Sequence, residues 1–109
     1  MSDGEIGIVT PQGRIDAATS PQLEVALHDH MAAGRLHLIV DFSDVHYLSS
    51  SALKVLLVTL REVRHRGGDI RLAALRDRGY DILEMAGFHR LFAIDGSVEE
   101  ARAALEAEA

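Results

Sequence analysis

The residues best suited to chemistry are three consecutive serines, Ser49-Ser50-Ser51, just ahead of an apolar helical repeat. A serine hydroxyl at a helix start can accept a hydrogen bond from an amide that the first turn leaves unpaired. It can also carry a phosphate, which the free amides and partial positive charge of a helix N-terminus accommodate. One cap needs one serine, so the run exceeds that need and both readings stay open. Phosphorylation adds about −1.5 to −2 charge and three strong acceptors. The fold tolerates the group, while a surface that had docked a partner becomes strongly negative. A thousandfold loss of binding needs about 4 kcal/mol, which burying an unpaired dianion or setting it against a carboxylate supplies. Asp41 and Asp44, close by in sequence, are expected to add to the negative field.

Other chemistry-bearing residues lack the spacing for catalysis or metal binding. Of six histidines, His28 and His30 stand two apart on a predicted helix and so point to different sides. His37, His46, His65 and His89 are scattered, and the pattern predicts no metal site. A phosphoacceptor aspartate at Asp41 or Asp44 needs an acidic pair after the first strand and a late lysine, neither of which is present. Asp41 is therefore expected to bond loop amides. There is no glycine-rich phosphate loop, no nucleophile elbow and no pair arranged for acid-base work, so the sequence reads as a non-enzyme without a cofactor. Arg61, Arg64, His65 and Arg66 read as a solvated cationic helix end, with an acidic partner as the alternative.

Alternating strands and helices position the serines. Residues 7–15 read as strand material broken by a turn at Thr10-Pro11-Gln12-Gly13. Ser20-Pro21 predicts a helix start with serine as cap; Leu23, Ala26, Leu27 and Met31 form its stripe and Gly34 stops it. Leu36-His37-Leu38-Ile39-Val40-Asp41 is a short, nearly continuous apolar run, as in a strand buried on both faces. A loop through Ser43, Asp44 and His46 leads to the serines and the longest helix. Leu53, Leu56, Leu57, Leu60 and Val63 hold its register, and Gly67-Gly68 ends it. A strand over 70–75, a helix over 77–86 closed by Gly87 and a brief strand over 91–94 follow. Ser97-Val98-Glu99-Glu100 is a capping box opening a last helix with Val98, Ala101 and Leu105 on one face. This order predicts an α/β domain with a mainly parallel sheet, whose strand C-terminal loops carry function. The serine run sits on one of those loops.

The 109 residues suit one domain, placed at 5–106. A net charge of −6 argues against nucleic acid as a partner. The longest apolar stretches, such as Val55-Leu56-Leu57-Val58, are far too short to cross a membrane. Met1-Ser2-Asp3-Gly4 has no signal-peptide character and cysteine is absent, so a cytoplasmic location is expected.

Four blocks, in order, resemble the STAS domain. They are Gly13-Arg14-Ile15-Asp16-Ala17-Ala18-Thr19; Val40-Asp41-Phe42-Ser43-Asp44-Val45 leading into Ser49-Ser50-Ser51-Ala52-Leu53; Gly67-Gly68-Asp69-Ile70-Arg71-Leu72; and Ala86-Gly87-Phe88-His89-Arg90-Leu91-Phe92 with Ser97-Val98-Glu99-Glu100-Ala101. The resemblance implies a small mixed, mainly parallel sheet flanked by helices on one side, with a first edge strand reduced by the short N-terminus. It also implies a bacterial anti-sigma factor antagonist acting by partner switching in transcription regulation. Such a protein binds an anti-sigma factor serine kinase, which uses ATP to phosphorylate it, and a PP2C-type phosphatase resets it. The family reads aspartate, serine, serine, glycine at the helix start, with the first serine modified. Carried over, Ser50 is the phosphorylation position, with Ser51 and Ser49 as alternates. Ser49 replaces the aspartate and becomes the expected helix cap, while Ala52 adds a methyl at the glycine position. The implied partner-binding surface is Asp16, Asp41, Asp44, Ser49, Ser50, Ser51 and Lys54. The competing reading is an accessory STAS subunit of a transport or signalling complex, in which the serines only cap a helix.

Overall fold

The computed structural model describes residues 5–108, without the side chains of residues 77 and 108. Anything the short N-terminus implies for residues 1–4 lies outside the described residues. Strands β1 (Ile6–Val9), β3 (His37–Asp41), β5 (Asp69–Ala73) and β6 (Ala93–Asp95) form one sheet in the order β1-β3-β5-β6. A second ribbon joins β2 (Gly13–Ile15) to β4 (Val45–Leu48). Every pairing among the described residues is parallel. Because β1 pairs with β3 and β2 with β4, the ribbon repeats the same neighbours after both chains break at their turns.

Among the described residues the helices are α1 (Ser20–Ala32), α2 (Ser50–His65), α3 (Asp77–Met85) and α4 (Val98–Glu108), with a 3-10 turn at Phe88–Arg90. In β3 the continuous apolar run is buried on both faces because side chains alternate along a strand. Leu38 and Val40 join the main core with Leu23, Leu27 and Met31 of α1 and Leu56, Leu60 and Val63 of α2. Ile39 faces the other way, against Ala101 and Leu105 of α4. The helices therefore cover both faces of the sheet, α4 alone on the second, rather than one side as the resemblance implies.

Three sequence expectations are corrected. Residues 45–48, expected in a loop, form β4, where Val45 and Leu48 are buried and His46 is exposed. Ser20 does not cap α1; it is the first helical residue, buried, with Thr19 at the cap position. The last strand is shorter and later than expected, since Phe88–Arg90 is wound into the 3-10 turn. The glycine stops hold. Gly67 closes α2 at φ +92°, in the left-handed region. At Gly68 an added Cβ would lie 2.0 Å from the Leu36 carbonyl oxygen, so the α2–β5 connection passes too close to Leu36 for a side chain.

Candidate functional site

The serine run lies where β4 hands over to α2. Ser49 is extended, with φ −86° and ψ 171°, and its Oγ accepts a hydrogen bond from the Ala52 amide at 3.2 Å. Its carbonyl takes the first helical bond, from Leu53 at 3.1 Å. Ser49 is thus the cap, as the sequence indicated, and one hydroxyl satisfies that role. Ser50 is the first helical residue; its side chain is exposed, and its hydroxyl makes no hydrogen bond among the described residues. Ser51 is half-buried. Ala52 is fully buried. Its methyl enters the core and not the face that a partner approaches.

The end of β2 meets this point. The Ser49 amide donates to the Ile15 carbonyl at 2.9 Å, which sets the following residue, Asp16, beside the helix start. Asp16 is held in a reciprocal knot with Thr19. The Thr19 amide donates to Asp16 Oδ1 at 3.1 Å, while the Asp16 amide donates to Thr19 Oγ1 at 2.9 Å. The Ala18 amide adds a bond to the same carboxylate at 3.0 Å. These bonds hold the Asp16 carboxyl below its ordinary value of 3.8: the Thr19 amide foremost, then its hydroxyl, the Ala18 amide and the charge of Arg14. The Asp-x-x-Thr spacing carries this knot in the sequence, beside the stronger helix-start pattern of Ser20-Pro21.

Asp41 and Asp44 flank the loop between β3 and β4. Asp41 Oδ1 accepts from the Ser43 amide at 3.0 Å, the loop role read from sequence. The Asp44 carbonyl accepts from Gly13 at 2.8 Å at the opposite end of the β2–β4 ribbon. Five residues of extended chain put Asp44 roughly 16 Å from Ser49 along the strand. That exceeds the Debye length of about 8 Å at physiological salt. The field that Asp44 was expected to add at Ser50 is therefore screened, because β4 lies between the two.

Recognition of β4 also exposes a pair that the sequence reading missed. Arg14 and Tyr47 are register partners, and the Arg14 guanidinium stacks 4.4 Å from the Tyr47 ring centroid. Lys54 is exposed on α2. In the cationic end of α2, Arg64 is committed to structure, donating to Asp69 at 3.0 Å and to the Leu91 carbonyl at 2.7 Å. A groove of about 340 Å³ lies between the β1–β2 segment and α1, lined by Val9, Arg14, Leu23 and His30 among others; none of the serines lines it. Among the described residues no group of His, Asp and Glu is placed to hold a metal, and no helix is long and apolar enough to cross a membrane.

Comparison with known proteins matches residues 2–101 to the family model described as STAS domain. BtrV of Bordetella bronchiseptica, provisionally named an anti-sigma factor antagonist, is 30% identical over 95 residues, covering 87% of this chain and 82% of that protein. The crystal structure of an anti-sigma factor antagonist from Mycobacterium paratuberculosis superposes with a TM-score of 0.84 at 26% identity, over 93% of this chain and 86% of that one. The anti-sigma factor antagonist SpoIIAA in its unphosphorylated form shares the fold, with a TM-score of 0.83 at 18% identity over 98% of this chain and 93% of that one.

Proposed function

We propose that this chain, which belongs to the STAS domain family, is a bacterial, cytoplasmic anti-sigma factor antagonist that docks its partner around the start of α2. The partner is an anti-sigma factor that is itself a serine kinase. While docked, it gives up its sigma factor. With ATP it then moves the γ-phosphoryl group to Ser50 Oγ, the hydroxyl losing its proton and ADP leaving. A PP2C-type phosphatase hydrolyses the ester and restores the docking form. The chain performs no catalysis of its own in this scheme.

The supporting observation is the division of labour between two adjacent serines. Ser49 supplies the cap, so among the described residues the exposed Ser50 hydroxyl is unbonded and its modification breaks no hydrogen bond of the fold. The phosphate would project from the surface formed by Ser49, Ser50, Ser51, Lys54 and Asp16. A dianion buried there against a carboxylate costs enough, about 4 kcal/mol, to release a partner a thousandfold. Asp41 is assigned to the same surface, and Asp44 joins it only if the partner reaches along the whole β2–β4 ribbon.

Intact-mass spectrometry after incubation with the kinase and ATP tests the scheme. One phosphate is expected on the native chain, none on Ser50→Ala, and no kinase binding by Ser50→Asp. If changing all three serines to alanine alters neither partner binding nor phosphate uptake, the scheme is wrong and the serines are helix caps alone.

A further inference from the structure

Lys54 follows Ser50 by four residues on α2, and both side chains are exposed. Residues at this spacing share a helix face, with Cβ atoms about 5–6 Å apart. An anion N-terminal to a lysine at this spacing is the favoured orientation. Lys54 makes no ion pair or hydrogen bond among the described residues. The first turn of α2 holds no acid, and Glu62, three turns on, is placed 3.5 Å from His28 of α1. Of the acids at the loop end of the fold, Asp16 is tied to the Thr19 and Ala18 amides and Asp41 to Ser43, while Asp44 stands a strand-length away. Among the described residues the lysine beside the acceptor hydroxyl therefore has no resident counter-ion.

We infer that Lys54 is the counter-ion of the phosphorylated state: phosphate on Ser50 pairs with its ammonium group across one helical turn and withdraws that cation from the docking surface. The inference rests on the Ser50 reading and deepens it. One modification changes the surface twice, adding a dianion and removing an available cation. A partner that presents a carboxylate to Lys54 loses that contact when the phosphate arrives. Lys54 is a positioning residue for the phosphate and takes no part in the transfer.

Phosphoserine incorporated at position 50 during synthesis, without any kinase, gives a direct test by phosphorus NMR. The second phosphate proton is titrated in the native background, in Lys54→Ala and in Lys54→Arg. A paired cation favours the dianion, so Lys54→Ala is expected to raise the titration midpoint by about 0.3 pH, the size of a helical ion pair at this spacing. Lys54→Arg is expected to keep the native midpoint. An unchanged midpoint in Lys54→Ala overturns the inference. A kinase that leaves Ser50 unmodified overturns the reading beneath it, and because the phosphoserine is installed independently, the two failures are told apart.

Discussion

The Ser49 amide donates to the Ile15 carbonyl at 2.9 Å, which makes the end of β2 and the start of α2 one unit. The bond fixes Ser49 in the extended conformation from which its hydroxyl reaches back over the first turn. It also links two blocks of sequence more than thirty residues apart, so the Asp16 knot and the serine cap hold the same corner. Changes in either block are expected to be felt at that corner.

Replacing Ser49 by alanine removes the hydroxyl that satisfies the Ala52 amide. Loss of such a cap costs about 1 kcal/mol. In a domain of this size that lowers the melting temperature by roughly 5 °C. Ser49→Asp keeps an acceptor at the cap position and is expected to melt close to the native protein. Thermal denaturation followed by circular dichroism separates the two.

Asp16→Asn keeps the turn-forming acceptor and removes the charge. The folded carboxyl lies below its ordinary 3.8, so its contribution to stability is fully present above 3.8 and fades as pH falls through the folded value. The native protein is therefore expected to exceed Asp16→Asn in stability at neutral pH, with the gap closing in acid below 3.8. Urea denaturation across that range measures the gap. A gap that widens in acid would contradict the assignment of the Thr19 and Ala18 bonds to the ionised form.

The parts of this fold legible in the sequence are the local ones. Gly34, Gly67 and Gly87 stop helices, Ser49 caps α2, and the spacing of Leu56, Leu60 and Val63 marks a buried stripe, because each signal is contained within a few residues. Burial of β3 on both faces was legible too, since Leu38-Ile39-Val40 leaves no polar side. It outweighed the one-sided arrangement implied by family resemblance. What stayed hidden depends on distant partners. Val45-His46-Tyr47-Leu48 is too short to declare itself a strand until β2 lies beside it, and with β4 unseen Asp44 looked like a neighbour of Ser50. The cap of α1 was misplaced because Asp16 and Thr19 secure the turn before the helix, while serine followed by proline gave the stronger local signal.

Arg71 and Asp95 pair across β5 and β6 at 2.8 Å, with side chains only 14% and 12% exposed. Twenty-four residues separate them, so no local pattern reveals the pair. Removing Asp95 takes its charge-assisted hydrogen bonds from Arg71 in a poorly solvated site, a loss of about 2 kcal/mol. Asp95→Ala is expected to lose that much in urea denaturation.

The two glycines after α2 are expected to respond differently to alanine. Gly67 has a positive φ with open space around it, so Gly67→Ala costs only the left-handed strain of about 1 kcal/mol. Gly68→Ala drives a methyl to 2.0 Å from the Leu36 carbonyl oxygen, and backbone must move to admit it. Overpacking of that kind costs about 3 kcal/mol. Denaturation midpoints are expected to rank native, Gly67→Ala, Gly68→Ala in falling order; equal losses at the two positions would mean that the Leu36 approach relaxes freely.

Exposure orders the serines as acceptors. A kinase must bring a hydroxyl into line with the γ-phosphorus of ATP, and only a side chain that leaves the surface reaches that far. Ser50 is exposed and unbonded, Ser51 is half-buried, and the Ser49 hydroxyl is engaged with Ala52. Phosphate uptake is therefore expected to persist in Ser49→Ala and Ser51→Ala and to vanish in Ser50→Ala. Peptide mapping of the native phosphoprotein is expected to place the group on Ser50. Uptake that moves to Ser51 when Ser50 is alanine would mean that the first turn of α2 opens in the complex. In that case Ser49→Ala, which loosens that turn, is expected to increase uptake at Ser51, a result that the closed turn does not allow.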